Sequence, residues 1–262
     1  MVRLKSQLLA LALVGGLAGC TQPAARAAPS RSEAEEAPPT EILRAAGLRY
    51  HEVLRGGAQP GDRVPMVVML HGMGDRPRPD RVGPMAQPTR VIVPEAPLRY
   101  RDGYAWWRVS VRQNRPIRLA AGIERAAAQL ADALLTLTDR YPTAGKPIVS
   151  GFSQGGMLSY AMALHHPHTL SFAHPMSGLL PLALWPDHKR PGVHYPPIVV
   201  SHGTADPIVP IDRDRALARH LDRLGHDVQF HAIDKGQHRV SPKQGELLKH
   251  TLDSAIAEQA RH

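Results

Sequence analysis

Beyond residue 40 the apolar positions follow two rhythms that take turns. Residues 64–70 (VPMVVML) form a near-continuous apolar run, the pattern of a strand covered on both faces. Shorter runs of this kind occupy 90–93, 147–150, 170–174, 197–201 and 227–233, while 48–54 predicts an edge strand leading into a Gly56-Gly57 turn. Between them the period lengthens. Leu119, Ile123, Ala127, Leu130, Leu134 and Leu137 recur at helical spacing, so 118–138 predicts a long amphipathic helix. Further helices are predicted over 154–165, over 211–224 with Gly225 as its stop, and from 241 to about 257. Such alternation argues for an α/β class: a mostly parallel central sheet with helices on both faces. Ligands of such a sheet sit beyond the carboxyl ends of its strands.

The first forty residues keep neither rhythm. Arg3 and Lys5 precede an apolar run from Leu8 to Leu17 that is short for a membrane span. The run closes on Leu17-Ala18-Gly19-Cys20, which resembles the bacterial lipobox. That resemblance implies lipidation of Cys20 and cleavage before it, and acyl chains contribute about 0.8 kcal/mol per buried methylene to anchoring. Thr21, where an Asp would signal retention, favours the outer membrane facing the periplasm by the same resemblance. Residues 21–40 are rich in Ala, Pro, Ser and charge and read as an extended tether. The expected division is therefore a signal peptide over 1–19, a lipidated Cys20 with its tether over 20–40, and one folded domain over 41–262.

Composition narrows the partners. The chain has 262 residues, 43% of them hydrophobic, which suits one α/β domain. Cys20 is the single cysteine, so no intramolecular disulfide can form. The formal net charge of +9 falls to +7 without Arg3 and Lys5. A basic balance of this size suits anionic headgroups near an anchor, or reflects an arginine-rich usage. No basic run is interleaved with aromatics, which make up 5% of the chain, so nucleic-acid binding is not expected.

One sequence carries the chemistry. After the apolar residues Ile148 and Val149 come Gly151-Phe152-Ser153-Gln154-Gly155, a G-x-S-x-G pattern followed by a helix-like stretch. A serine on a sharp strand-to-helix turn needs strained backbone angles, and the flanking glycines remove side chains that would collide there. The turn would lift Ser153 above the sheet, beside the amino end of the next helix.

If the sheet is parallel, the loops after 64–70, 147–150, 197–201 and 227–233 share one rim. His202-Gly203-Thr204-Ala205-Asp206-Pro207 follows the third of these strands and Gly236-Gln237-His238 follows the fourth. Ser153, Asp206 and His238 then stand in the chain order Ser, Asp, His expected on an α/β-hydrolase sheet. Ser153 would attack an acyl carbon, His238 would take its proton, and Asp206 would hold the imidazole. The glycines of Leu70-His71-Gly72-Met73-Gly74-Asp75 let backbone amides turn inward, so the N–H groups of Met73 and Gln154 are the expected oxyanion donors. Losing one such donor typically costs about 3 kcal/mol of transition-state stabilisation. Other candidates fit less well. His231 lies within a strand, His220 and His250 lie on helices, and His202 precedes the working position of its loop. Asp212 and Asp214 read as solvated residues of a helix start.

These segments, with Gly156 and Ser177-Gly178-Leu179-Leu180-Pro181, resemble in order the phospholipase/carboxylesterase family of α/β-hydrolases, which includes the acyl-protein thioesterases. The resemblance runs over about 64–256. It implies an esterase, thioesterase or lysophospholipase reaction through a covalent acyl-enzyme, without a cofactor. Tyr104-Ala105-Trp106-Trp107 looks like the family's tryptophan-phenylalanine-aspartate segment, but Trp107 and Arg108 depart from it.

Trp106, Trp107 and Trp185, with Leu179 and Leu180, are candidates to line an apolar acyl groove. His165, His166 and His168 end a helix and point to different faces, so no metal is expected. The leading expectation is a serine hydrolase on a membrane tether that cleaves small-molecule carboxylic or acyl esters. Its alternatives are a polyester or polysaccharide-ester hydrolase, and a catalytically silent binding lipoprotein.

Overall fold

The computed structural model describes residues 41–261. The predicted signal peptide, Cys20 and the tether lie outside the described residues. In chain order the elements are β1 (Leu43–Ala45), β2 (Leu48–Arg55), β3 (Met66–Leu70), β4 (Thr89–Glu95), β5 (Leu98–Tyr100), β6 (Gly103–Ala105), α1 (Pro116–Arg140), β7 (Ile148–Phe152), α2 (Gln154–His165), β8 (Phe172–Met176), β9 (Ile198–Gly203), α3 (Ile211–Arg223), β10 (Val228–Ile233) and α4 (Pro242–Gln259).

Eight strands form one sheet in the order β1-β2-β4-β3-β7-β8-β9-β10. From β4 through β10 every neighbouring pair is parallel, while β2 is antiparallel to both β1 and β4. The segment expected at the edge, β2, is one strand in. The edge is β1, joined to it through Ala46 (φ 45°) and Gly47 (φ 78°), the two positive φ values that a tight hairpin of matching twist demands. Pro94 does not end β4 as expected. Its pairing with β3 stops at Val68↔Ile92, so the missing N–H falls where that ladder has already finished.

Alternation along the strands sorts the core into two faces. Met66, Val68, Leu70, Ile92 and Val149 pack against α1, α2 and α3, whereas Val67, Val91, Val93 and Ile148 pack against Leu252, Ala255 and Ile256 of α4. The three helices on the first face differ in character. α1 and α3 each bury one stripe, but α2 is buried from Gln154 to Leu164, as expected of an apolar helix enclosed on every side. That central helix begins at the predicted nucleophile, so Ser153 stands on the most enclosed element of the domain.

Candidate active site

The β7–α2 junction is built by close approach. Ser153 occupies φ 57°, ψ −112°, outside the regions that non-glycine residues ordinarily populate. Such a conformation costs of order 1–3 kcal/mol and persists only where its surroundings over-determine it. They do so here. A Cβ on Gly155 would lie 2.2 Å from the Leu70 carbonyl oxygen, and one on Gly151 would lie 2.5 Å from the Gly155 carbonyl carbon. The Ser153 N–H donates to the Met176 carbonyl at 2.9 Å, which ties the turn to the end of β8.

Three loops from one rim meet at this point. Ser153 Oγ is 2.9 Å from His238 Nε2, and His238 Nδ1 is 2.7 Å from Asp206 Oδ2. The second carboxylate oxygen, Oδ1, accepts from the N–H groups of Ile208 (2.8 Å) and Val209 (2.9 Å), so the turn after β9 fixes the carboxylate plane. Phe152 packs against the His238 ring at a tilt of 43°, with centroids 4.8 Å apart. The Asp206 side chain is fully buried, and that of His238 retains 17% exposure, which leaves a face open to an incoming molecule.

The β3 loop closes the opposite side. A Cβ on Gly72 would come within 3.4 Å of Ser153 Cβ, so this loop lies against the serine. His71 anchors it. Its Nδ1–H donates to the Gly72 carbonyl at 2.8 Å while Nε2 accepts from the Ala96 N–H at 3.1 Å. Burial lowers the His71 pKa, in keeping with a neutral ring having one donor and one acceptor. Trp106 Nε1–H donates to the His71 carbonyl at 3.0 Å. As the first helical residue, Gln154 has an N–H with no intrahelical acceptor. Its side chain has a further task that the sequence did not disclose. Oε1 accepts from the Trp106 N–H and Nε2 donates to the Trp107 carbonyl, both at 2.9 Å.

The candidate substrate residues separate. Leu179 and Leu180 line a groove of ≈ 570 Å³ with Val111, Ile117, Leu182 and Trp185, and Arg115 and Arg213 also line it. The loop that carries them leaves β8 at Met176, whose carbonyl accepts from the Ser153 N–H, while neither Ser153 nor His238 lines the groove itself. Ile117 (81% exposed) and Leu182 (75%) project from its walls. Trp107 is not part of this groove. It is buried against α1, where a Cβ on Gly122 would meet its Cβ at 2.8 Å, and it borders a different cavity with Pro97 and Arg108. His165 bonds to the Leu184 carbonyl at 3.1 Å, and the His166 and His168 rings lie 6.3 Å apart.

Asp214 corrects a sequence expectation. It is fully buried, not solvated, because it lies three, four and seven residues before Leu217, Ala218 and Leu221 on the inward face of α3. Its Oδ2 is 2.6 Å from His202 Nδ1, and its Oδ1 accepts from the Tyr160 hydroxyl at 2.5 Å. His202 Nε2 in turn donates to the Val209 carbonyl at 2.9 Å and lies 3.3 Å from Asp206 Oδ2. Burial alone would lower the His202 pKa, but the hydrogen bond and charge of Asp214, the Val209 carbonyl and the charge of Asp206 together raise it.

A serine, an imidazole and a carboxylate linked in series at the carboxyl rim of a parallel sheet make this a hydrolase with the α/β-hydrolase fold. Comparison with known proteins makes the assignment narrower. The chain belongs to the phospholipase/carboxylesterase family, whose model matches residues 57–256. Among curated proteins it is 27% identical over 205 residues to a rice (Oryza sativa subsp. japonica) protein named as a probable inactive carboxylesterase, covering 66% of this chain and 82% of that one. Among solved structures, esterase PE8 superimposes with a TM-score of 0.63 at 25% identity, covering 78% of this chain and 99% of its own. The acyl-protein thioesterase 2 of Zea mays gives 0.62 at 23% identity, covering 79% and 99%.

Proposed function

We propose that the protein is a serine carboxylesterase that cleaves small or acyl esters through an acyl-enzyme on Ser153. The observation that carries this reading is the continuous series Ser153 Oγ to His238 Nε2 to Asp206, at 2.9 and 2.7 Å. As Oγ attacks the acyl carbon, Nε2 accepts its proton, and the imidazolium donates through Nδ1–H to Asp206 Oδ2. Two backbone donors to Asp206 Oδ1 hold that carboxylate in plane. The N–H groups of Met73 and Gln154 receive the charge that develops on the carbonyl oxygen. The proton then passes from His238 to the leaving alkoxide, and water deacylates the serine by the same route. The apolar lining by Leu179 and Leu180, with Ile117 and Leu182 at the walls, supports reading the groove as the acyl subsite. Trp107 borders a different cavity and is bonded through its carbonyl to Gln154.

The resemblance to a relative named inactive makes direct labelling the deciding experiment. A fluorophosphonate probe should label the wild-type protein and leave Ser153→Ala unlabelled. A folded wild-type protein that resists the probe would leave the esterase reading without support. Esters of p-nitrophenol of increasing chain length then separate substrates: best turnover of short chains agrees with the small-ester preference, and best turnover of long chains overturns it.

For location, we infer a lipid anchor at Cys20 in a bacterial envelope. The basic start, the apolar run and Leu17-Ala18-Gly19-Cys20 support it. Incorporation of labelled palmitate that disappears in Cys20→Ser is the expected result, and equal incorporation in both proteins would refute it.

A further inference from the structure

Behind the proposed acid of the site lies a second set of ionisable groups that the esterase mechanism leaves unused. Tyr160 from α2, Asp214 from α3 and His202 from β9 are all fully buried and hydrogen-bonded in series. Burying a carboxylate in an apolar helix interface is costly unless it is paired, so this set requires an explanation beyond packing. The series ends 3.3 Å from Asp206 Oδ2, the oxygen that receives His238 Nδ1 at 2.7 Å. Asp206 therefore stands between two imidazoles.

Counting protons gives the state of the set. His202 Nε2 faces the Val209 carbonyl, which can only accept, so Nε2 carries a hydrogen. Asp214 Oδ1 is occupied by the Tyr160 hydroxyl, for which burial followed by the charge of Asp214 raises the pKa well above its ordinary value, so the phenol keeps its proton and donates it. One proton remains between Asp214 Oδ2 and His202 Nδ1. Burial raises the Asp214 pKa and favours the proton there, but the bond from Tyr160 opposes this, and the Asp206 carboxylate lies 3.3 Å from the His202 ring, so we place the proton on His202. The titratable groups that face this pair are Tyr160 and Asp206, and His238 lies beyond Asp206. The pair is neutral in sum, but its positive end points at the active site.

The geometry points to His202, Asp214 and Tyr160 as a positioning relay that holds Asp206 between two imidazoles and limits how strongly it stabilises charge on His238. The inference rests on the esterase reading for its consequence in turnover, but not for its electrostatics. A cationic His202 beside Asp206 offsets part of the carboxylate's pull on the His238 proton. The bond from His202 Nε2 to the Val209 carbonyl also braces the turn whose N–H groups hold Asp206 Oδ1.

The test uses two near-isosteric variants, Asp214→Asn and Tyr160→Phe. Nitrogen-15 NMR of the histidine rings should show His202 doubly protonated at pH 7.5 in the wild-type protein and neutral in Asp214→Asn. The midpoint of His238 should rise in Asp214→Asn by on the order of half a pH unit or more. Tyr160→Phe should move it in the same direction by less, because only one donor to Asp214 is lost. The acid limb of kcat/KM for a p-nitrophenyl ester should shift with these midpoints, with KM nearly constant. A neutral His202 in the wild-type protein overturns the proposal. So does a His238 midpoint that stays fixed or falls in Asp214→Asn, even if the variant loses thermal stability. Should Asp214→Asn not fold, Tyr160→Phe carries the same comparison. The ring titrations hold whether or not the ester is cleaved, so failure of the esterase reading appears separately, as a wild-type protein without turnover or Ser153 labelling.

Discussion

The two halves of the site are made by opposite means. On the serine side almost nothing is charged: Gly155 and Gly151 let β3, β7 and α2 approach until no Cβ would fit, and backbone contact holds Ser153 at its unusual angles. On the acid side the side chains do the holding. Asp206, His202, Asp214 and Tyr160 form a buried polar set: Tyr160 and His202 are hydrogen-bonded to Asp214, and His202 lies 3.3 Å from Asp206. The first construction is steric and indifferent to pH. The second is electrostatic and answers to every proton it can gain. A site of this kind tolerates added volume poorly on one side and loss of charge poorly on the other.

That contrast can be broken at several points. The largest effect belongs to the acid side: Asp206→Asn should lower kcat by roughly 10⁴-fold while the thermal midpoint moves little, because the amide cannot accept from His238 in the productive tautomer. A loss under tenfold would show that the carboxylate is not part of the machinery. Gly155→Ala should have the reverse signature. Its methyl would press on the Leu70 carbonyl and destabilise the fold by about 1–3 kcal/mol, with stability and activity lost together. Unchanged urea unfolding would refute the steric account.

His174 on β8, between the two halves, sharpens the comparison by pH. Burial, with the charge of His231 adding to it, lowers its pKa to about 3, and its Nε2 lies 3.2 Å from Ser201 Oγ. The ring is neutral in the fold and protonates near 6.5 once unfolded, so stability is intact above that value and falls as pH drops toward 3. Between pH 6.5 and 5 the expected loss is about 2 kcal/mol. His174→Gln should flatten the dependence, and a wild-type urea midpoint equal at pH 7.5 and 5 would contradict it. The smallest effect is expected at Trp106→Phe. It removes the bond to the His71 carbonyl and should loosen the Met73 donor for about a tenfold loss in kcat. A variant as active as the wild-type protein would relieve Trp106 of that role.

The ordering of strands and helices was legible because each long run had one period. The two short hairpins were not. Ala46-Gly47 and Arg101-Asp102 place a non-glycine residue at φ 45° and 52°; the first lacks an Asn-Gly or Asp-Gly pair, and in the second Asp102-Gly103 sits one residue past the loop centre, so neither presents that signal in register. The residues at the strand ends were legible through the shared rim, which needs only a parallel sheet. Asp214 was misread because an acid in a first helical turn usually serves the helix dipole. Its spacing to Leu217 and Leu221 held the contrary signal. Trp107 was misplaced because an aromatic pair gives no sign of which cavity it will border once buried. Gln154 was recognised for its N–H, while the reach of its side chain to Trp106 depends on a hairpin that the pattern did not predict.

The bond between Ser153 and His238 joins residues 85 positions apart, and the second of them belongs to the loop after the last strand. During synthesis Ser153 is therefore made long before the histidine proposed as its base. Until β10 has taken its place beside β9, a growing chain holds the serine without that partner. The order of translation thus withholds the proposed chemistry while the polypeptide is being made.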